Sequence, residues 1–206
     1  MTPLFPLAIA FLSTTTTAFT TRPFLSTIST RHHTKMSASN FSSLPPLLTP
    51  TGEPLPPSSL PSLLAGKRIA LYFSAGWCPM CTSFEPSLVQ FIRACNNAGD
   101  DRGVVQLLYI PSDRSREAAL SRATDELLED LNLLSVPFGP HAEEMKRKYK
   151  IWAGSECGSL GRDRRSGVPA LVVLDSKGEE MAFLGVESLG VKALEGWDLG
   201  DGNGVW

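Results

Sequence analysis

At 206 residues the chain can bury one full hydrophobic core and still carry appendages. Its 42% hydrophobic and 19% charged residues describe an ordinary globular protein, and the formal net charge of −2 conceals an asymmetry. Arg22, Arg31 and Lys35 stand in the first 36 residues without a single acid, which leaves −5 on the remainder. A mildly acidic body excludes general nucleic-acid binding. Four cysteines, Cys78, Cys81, Cys95 and Cys157, make no disulfide framework, and a zinc site would need a second ligand pair, where beyond residue 36 the only histidine is His141.

Residues 1–36 read as a targeting presequence or disordered extension outside the folded domain. Leu7-Ala8-Ile9-Ala10-Phe11-Leu12 is an apolar core much shorter than the roughly 20 residues of a membrane span. A Ser/Thr-rich, acid-free stretch follows it, with the composition of a transit peptide. The two in series predict a bipartite presequence. Thr17-Ala18-Phe19 resembles the Ala-Phe cleavage motif of plastid-targeted proteins in algae with secondary plastids, and the resemblance implies a plastid protein. The alternatives are a cytoplasmic protein translated from Met36, a mitochondrial one or a secreted one.

Residues 37–57 form a Pro/Ser-rich approach with a turn or short hairpin at Gly52-Glu53-Pro54. Ser58 or Ser59 is placed to cap a brief helix carrying Leu60, Leu63 and Leu64 and ending at Gly66. The apolar run Ile69 to Phe73 reads as a buried strand. A small-residue turn, Ser74-Ala75-Gly76, then delivers Trp77 and the pair Cys78-Pro79-Met80-Cys81. Phe84, Leu88, Phe91, Ile92 and Cys95 continue at helical spacing, so the dithiol sits at a helix start. There the unpaired backbone N–H groups and the helix dipole favour a thiolate at Cys78. Cys81, one turn on, is close enough to close a disulfide. Asn96-Asn97-Ala98-Gly99 marks the helix stop.

Val104 to Ile110 reads as the next buried strand, Ser115 to Leu131 as a helix, and His141 to Ile151 as another with Lys146, Arg147, Lys148 and Lys150 exposed. Ala170 to Asp175 and Glu179 to Leu184 read as strands joined by the turn Ser176-Lys177-Gly178. A closing helix is expected over Leu189–Leu194, and residues 197–206 read as an irregular tail. Gly154, Gly158 and Gly161 lack the Gly-Lys-Ser/Thr that a phosphate loop requires.

Tyr72-Phe73-Ser74-Ala75-Gly76-Trp77-Cys78-Pro79-Met80-Cys81 resembles the active site of the tryparedoxin/nucleoredoxin branch of the thioredoxin superfamily. Met80 departs from the second proline usual in that branch. Pro111-Ser112-Asp113-Arg114-Ser115 stands at the place where that branch has a Ser-x-Asp after the strand, Val136-Pro137-Phe138 resembles its Leu-Pro-Phe, and Gly167-Val168-Pro169-Ala170-Leu171 its Gly-Ile-Pro-Thr-Leu. The resemblance implies an α/β, thioredoxin-like fold over residues 58–196: a central mixed β-sheet flanked by helices, one domain behind the presequence. It implies that Pro86 stays inside one long helix, and that Pro169 is a cis proline opposite the dithiol, exposing the Val168 backbone to a substrate strand. Trp77, Pro79, Met80, Val168 and Pro169 would then meet the substrate.

The expected activity is that of a protein-disulfide reductase. Cys78 attacks the substrate disulfide and Cys81 resolves the mixed disulfide. The expected partners are disulfide-containing proteins and an upstream thiol reductant of the thioredoxin reductase or glutathione type, acting on a monomer, with no nucleic acid and no membrane. The dithiol carries the electrons, so no cofactor or metal is expected. The competing readings are a nucleoredoxin-like, redox-sensitive binding regulator with little turnover, and a disulfide oxidant or isomerase.

Many thioredoxins carry a buried acid six residues before the first cysteine; here that residue is Tyr72. Glu85 is a candidate base for Cys81 but reads more simply as a solvated helix residue. Cys95 reads as core packing. Cys157, expected in an exposed Gly/Ser-rich loop, reads as an inert surface thiol or as a regulatory one favoured by Arg162, Arg164 and Arg165. The same arginines read as a solvated loop or as a receptor for an acidic partner.

Overall fold

The computed structural model describes residues 44–97, 104–200 and 202–206. The expected presequence lies outside the described residues. Five strands form one mixed sheet in the order β3-β2-β1-β4-β5. The central strand β1 (Lys67–Ser74) runs parallel to β2 (Val104–Pro111) and antiparallel to β4 (Ala170–Leu174). Strand β3 (Leu134–Ser135) continues the parallel side, and β5 (Glu180–Leu184) is antiparallel to β4. This is the mixed sheet with flanking helices that the resemblance implied.

Because side chains alternate across a strand, β1 feeds two cores. Ile69, Leu71 and Phe73 pack on one face with Leu64 of α1 (Leu60–Leu64) and with Met145 and Tyr149 of α4 (Pro140–Tyr149). Ala70 and Tyr72 pack on the other with Phe84, Leu88 and Ile92 of α2 (Pro79–Asn97). Both faces are covered, which is why β1 is a continuous apolar run rather than an alternating one.

The N-terminal approach is part of the packing. Leu48 bridges both Pro54 and Ser135, with Gly52 at φ +85° making the turn, and Leu47 is buried in the core. Ser59 precedes α1 but its hydroxyl donates to the Pro56 carbonyl at 2.7 Å instead of capping the helix. Pro86 does lie inside α2, which continues to Asn97.

The helix expected over Ser115–Leu131 is much shorter. Helix α3 spans Arg116–Ala123, capped by the Ser115 side chain, which accepts from the Ala118 amide. It ends because the Asp125 carboxylate accepts from Leu127 N–H at 3.1 Å and rebuilds the backbone as a turn. The helix expected over Leu189–Leu194 also moves. Helix α6 occupies Val186–Leu189, and Gly190 at φ +57° converts the chain to 3-10 turns through Gly196. The C-terminal segment, read as an irregular tail, reaches back to the sheet. Val205 bridges Arg68, the Trp206 amide donates to Lys67 O at 2.9 Å, and the Trp206 ring is buried in the core.

Candidate active site

Strand β1 ends at Ser74 and α2 begins at Pro79, so Cys78 occupies the N-cap position and Cys81 the third residue of the helix. The Cys81 amide donates to the Cys78 sulfur at 3.4 Å, as a capping side chain requires. Cys78 in turn points at the Val168 carbonyl, 3.7 Å away. Cys78 is 6% exposed and Cys81 is 0% exposed, so of the two cysteines only Cys78 keeps contact with solvent. All four cysteines are thiols in this structure. Burial pushes the Cys81 thiol up to about 12, and the adjoining Cys78 sulfur adds to the shift.

The turn that delivers the dithiol is held from β2. Asp113 accepts from the Gly76 amide at 2.8 Å through one oxygen and from the buried Tyr109 hydroxyl at 2.5 Å through the other. The Ser112 amide donates to Ser74 O at 2.8 Å, and the Ser112 carbonyl accepts from the Trp77 indole N–H at 2.9 Å. Arg114 stacks its guanidinium 5.2 Å over the Trp77 ring. Trp77, Arg114, Arg122 and Asp125 line an open cleft of about 320 Å³ beside the dithiol.

On the opposite side of Cys78, the Val168–Pro169 bond is cis, as the resemblance implied. Sheet pairing with β1 begins only at Ala170, opposite Phe73. The segment before it is held by Glu187, whose carboxylate accepts from the Gly167 amide at 2.6 Å and whose amide donates to Pro169 O at 3.1 Å. Residues 78, 81, 168 and 169 are therefore assembled into one site, with Trp77 half-buried and Pro79 and Met80 exposed at its rim. Among the described residues, no group of three His, Cys, Asp or Glu side chains could hold a metal ion.

A family model described as Thioredoxin-like matches residues 66–180. The chain belongs to the thioredoxin-like family. It is 31% identical to mouse (Mus musculus) nucleoredoxin over 136 residues, which cover 65% of this chain and 25% of the mouse protein. The chain thus spans about a quarter of that relative. Among solved structures, thioredoxin from Wuchereria bancrofti superposes with a TM-score of 0.50 at 25% identity, covering 75% of this chain and 88% of that one. Tryparedoxin II from C. fasciculata gives 0.53 at 22% identity, covering 77% and 93%, a likeness of fold. Thioredoxin-fold families generally comprise thiol–disulfide oxidoreductases.

Beneath the dithiol of this thioredoxin-like domain lies a buried polar cluster, in contrast to the solvated helix face that the sequence predicts. Glu85 is not solvated: it is 1% exposed, accepts from the Tyr72 hydroxyl at 3.1 Å and is ion-paired with Arg122. Arg122 also donates to Asp125 at 2.9 Å. Burial holds the Tyr72 phenol well above its ordinary range. The signal for Glu85 was present, since Cys81, Glu85, Leu88 and Ile92 follow i, i+4, i+7, i+11 on one face. No local pattern announces Arg122, which comes from another helix.

The stretch between α4 and β4 is a closed loop rather than an exposed flap. Ile151 and Ser166 bridge its base, and the Trp152 indole donates to Gly161 O at 3.0 Å across it. Cys157 opens a short helix, α5 (Cys157–Leu160), and is half-buried, contrary to the exposed-loop expectation, because Glu156 before it is anchored. Glu156 pairs with Lys146 at 2.5 Å. Lys146 itself is 3% exposed, not solvent-facing, because with Ala142, Met145 and Tyr149 it falls on the inner stripe of α4. Arg164 pairs with Glu187 at 3.3 Å, and Arg165 pairs with Glu180 at 2.6 Å while lying 3.9 Å over the Phe183 ring. Those two arginines serve internal contacts, and the exposed Arg162 has no described ion pair. Cys95 packs against the α2-side core, as expected.

Proposed function

We propose that the domain reduces protein disulfides by dithiol exchange through Cys78 and Cys81. One observation carries this reading: the Cys78 sulfur sits at the helix N-terminus between the Cys81 amide and the Val168 carbonyl, with Cys81 sealed below it. The Cys78 thiolate attacks one sulfur of a substrate disulfide, forming a mixed disulfide and releasing the other sulfur as a thiolate that takes up a proton. Cys81 then loses its proton and attacks the Cys78 sulfur. The second substrate thiol leaves, and a Cys78–Cys81 disulfide remains. Two electrons and two protons have passed to the substrate, and a thiol reductant of the thioredoxin reductase or glutathione type restores the pair. Trp77, Pro79, Met80, Val168 and Pro169 form the contact surface. The high pKa of Cys81 supports the order of events, because the resolving thiol stays protonated until the mixed disulfide forms.

The similarity to nucleoredoxin favours a second reading, a partner-binding module whose grip depends on the dithiol state. The deciding experiment equilibrates the full chain with glutathione and dithiothreitol buffers. A potential near about −270 mV supports the reductase, and one near about −120 to −180 mV reverses the direction to oxidant or isomerase. If the disulfide forms but insulin is not turned over, while Cys81→Ser captures partners covalently, the binding module is the better account. For residues 1–36 the composition supports delivery to a plastid; a fluorescent fusion that stays in the cytoplasm would refute that.

A further inference from the structure

We propose that Glu187, oriented by Arg164, is a positioning residue that holds the Val168 segment in place for protein disulfides. The inference rests on the dithiol-exchange reading and names the device that presents the substrate-facing backbone.

The Val168 carbonyl faces Cys78, yet residues 167–169 precede the first sheet pairing of β4 at Ala170. Glu187 supplies what the sheet does not. Its carboxylate takes the Gly167 amide at 2.6 Å, and its own amide donates to Pro169 O at 3.1 Å. One residue therefore grips the chain on both sides of Val168. The carboxylate is aimed by Arg164, 3.3 Å away, and Arg164 is fixed by donating to Trp152 O at 2.8 Å. Trp152 and Arg164 are the two ends of the loop closed by the Ile151–Ser166 bridge. The long connection between α4 and β4 thus reaches the dithiol through a charge relay of position: Trp152 carbonyl, Arg164, Glu187, Gly167.

Gly167 shows how tightly the device is built. A Cβ there would stand 2.2 Å from one Glu187 carboxylate oxygen and 2.5 Å from an Arg164 guanidinium nitrogen. The pair fills the space that any other residue's side chain would need. A substrate chain that pairs with the Val168 backbone as an added strand requires that backbone to be already in register. A small disulfide, which only has to reach the Cys78 sulfur, does not. Glu187 should therefore govern the apparent affinity for proteins more than the reaction of a small disulfide.

The test uses the full chain with Glu187→Ala, Glu187→Gln and Arg164→Gln. Losing a hydrogen bond to a charged acceptor predicts that Glu187→Ala raises KM for insulin about tenfold, with kcat within about twofold. Glu187→Gln keeps an acceptor for Gly167 and stays within about threefold of the parent. The rate with oxidised glutathione falls by less than the insulin effect in either, because a small disulfide needs only the Cys78 sulfur. Amide exchange at Gly167, read by NMR, accelerates in Glu187→Ala and is restored in Glu187→Gln. An unchanged KM together with unchanged Gly167 protection overturns the proposal, as does an equal loss on both substrate classes. If Glu187→Ala does not fold, Arg164→Gln, which leaves the Gly167 acceptor in place, must show the same split in smaller measure. If the parent protein turns over no disulfide, the reductase reading falls, while the Gly167 amide still reports whether the clamp exists.

Discussion

Replacing Glu85 by alanine should be among the most damaging single changes in α2, although no substrate touches this residue. Its carboxylate is 1% exposed and serves both the Tyr72 hydroxyl and Arg122, whose side chain is 9% exposed. Removal leaves the guanidinium buried, and breaking one half of such a pair costs about 3–5 kcal/mol. The Tyr72 phenol also loses its acceptor, a cost of about 1–3 kcal/mol. Asp125 still neutralises part of the arginine charge, but its side chain is 37% exposed and water screens the interaction. These effects overlap, and we expect a net loss of about 4 kcal/mol. Glu85→Gln, which keeps the volume and an acceptor for Tyr72, should lose about 2 kcal/mol. The double change Glu85→Met with Arg122→Met removes both charges and should recover most of the stability, as replaced buried pairs often do. Urea unfolding followed by tryptophan fluorescence reads all of them. With a slope near 2 kcal/mol/M, the Glu85→Ala midpoint falls by about 2 M. A loss below about 1 kcal/mol, or a double variant weaker than Glu85→Ala, would refute the reasoning.

The Cys81 thiol offers a pH test. Its pKa is raised in the folded state to about 12, so the folded reduced protein holds this proton more tightly than the unfolded chain. The associated stability is complete below the ordinary cysteine value and is lost as pH climbs toward about 12. At pH 8 the thiolate fraction at Cys81 is about one in ten thousand, so iodoacetamide should label Cys78 and spare Cys81 by mass spectrometry. Equal labelling of the two would contradict the burial argument. Asp113→Ala should cost about 3 kcal/mol, because both the Gly76 amide and the buried Tyr109 hydroxyl lose their acceptor. It should also slow insulin reduction, since the turn carrying Trp77 and Cys78 is no longer pinned to β2. Wild-type rates and an unchanged unfolding midpoint would sink this account of the loop.

Much of the site is written in short stretches of chain. A strand, a small-residue turn and a helix must follow one another at residues 69–97 for local reasons: an apolar run, residues without bulk, then helical periodicity. That alone puts Cys78 at a helix start with Cys81 one turn on. Placing Val168 and Pro169 opposite them needed the family resemblance, because ninety residues of chain separate them from the dithiol and only the antiparallel pairing of β1 with β4 brings them together. Glu85 and Lys146 differ from expectation for one reason. Charge alone places each in solvent, although each falls on the apolar stripe of its helix; their partners, Arg122 and Glu156, lie outside those helices. A charged residue on a buried stripe is tolerable only when a distant residue neutralises it, and no window of local sequence contains that information.

By itself the sequence determined strands β1, β2, β4 and β5, helix α2 behind β1 and the identity and spacing of the dithiol, because each depends on neighbours within a few turns of chain; the thioredoxin-like class of the domain came from the family resemblance. Tertiary structure alone decided which charges are buried, that Cys81 is sealed while Cys78 is within reach, and that the loop after α4 closes on Glu187 beside Gly167. Burial, and the pairing of charges that makes it affordable, are properties of surfaces that meet only after the chain has folded.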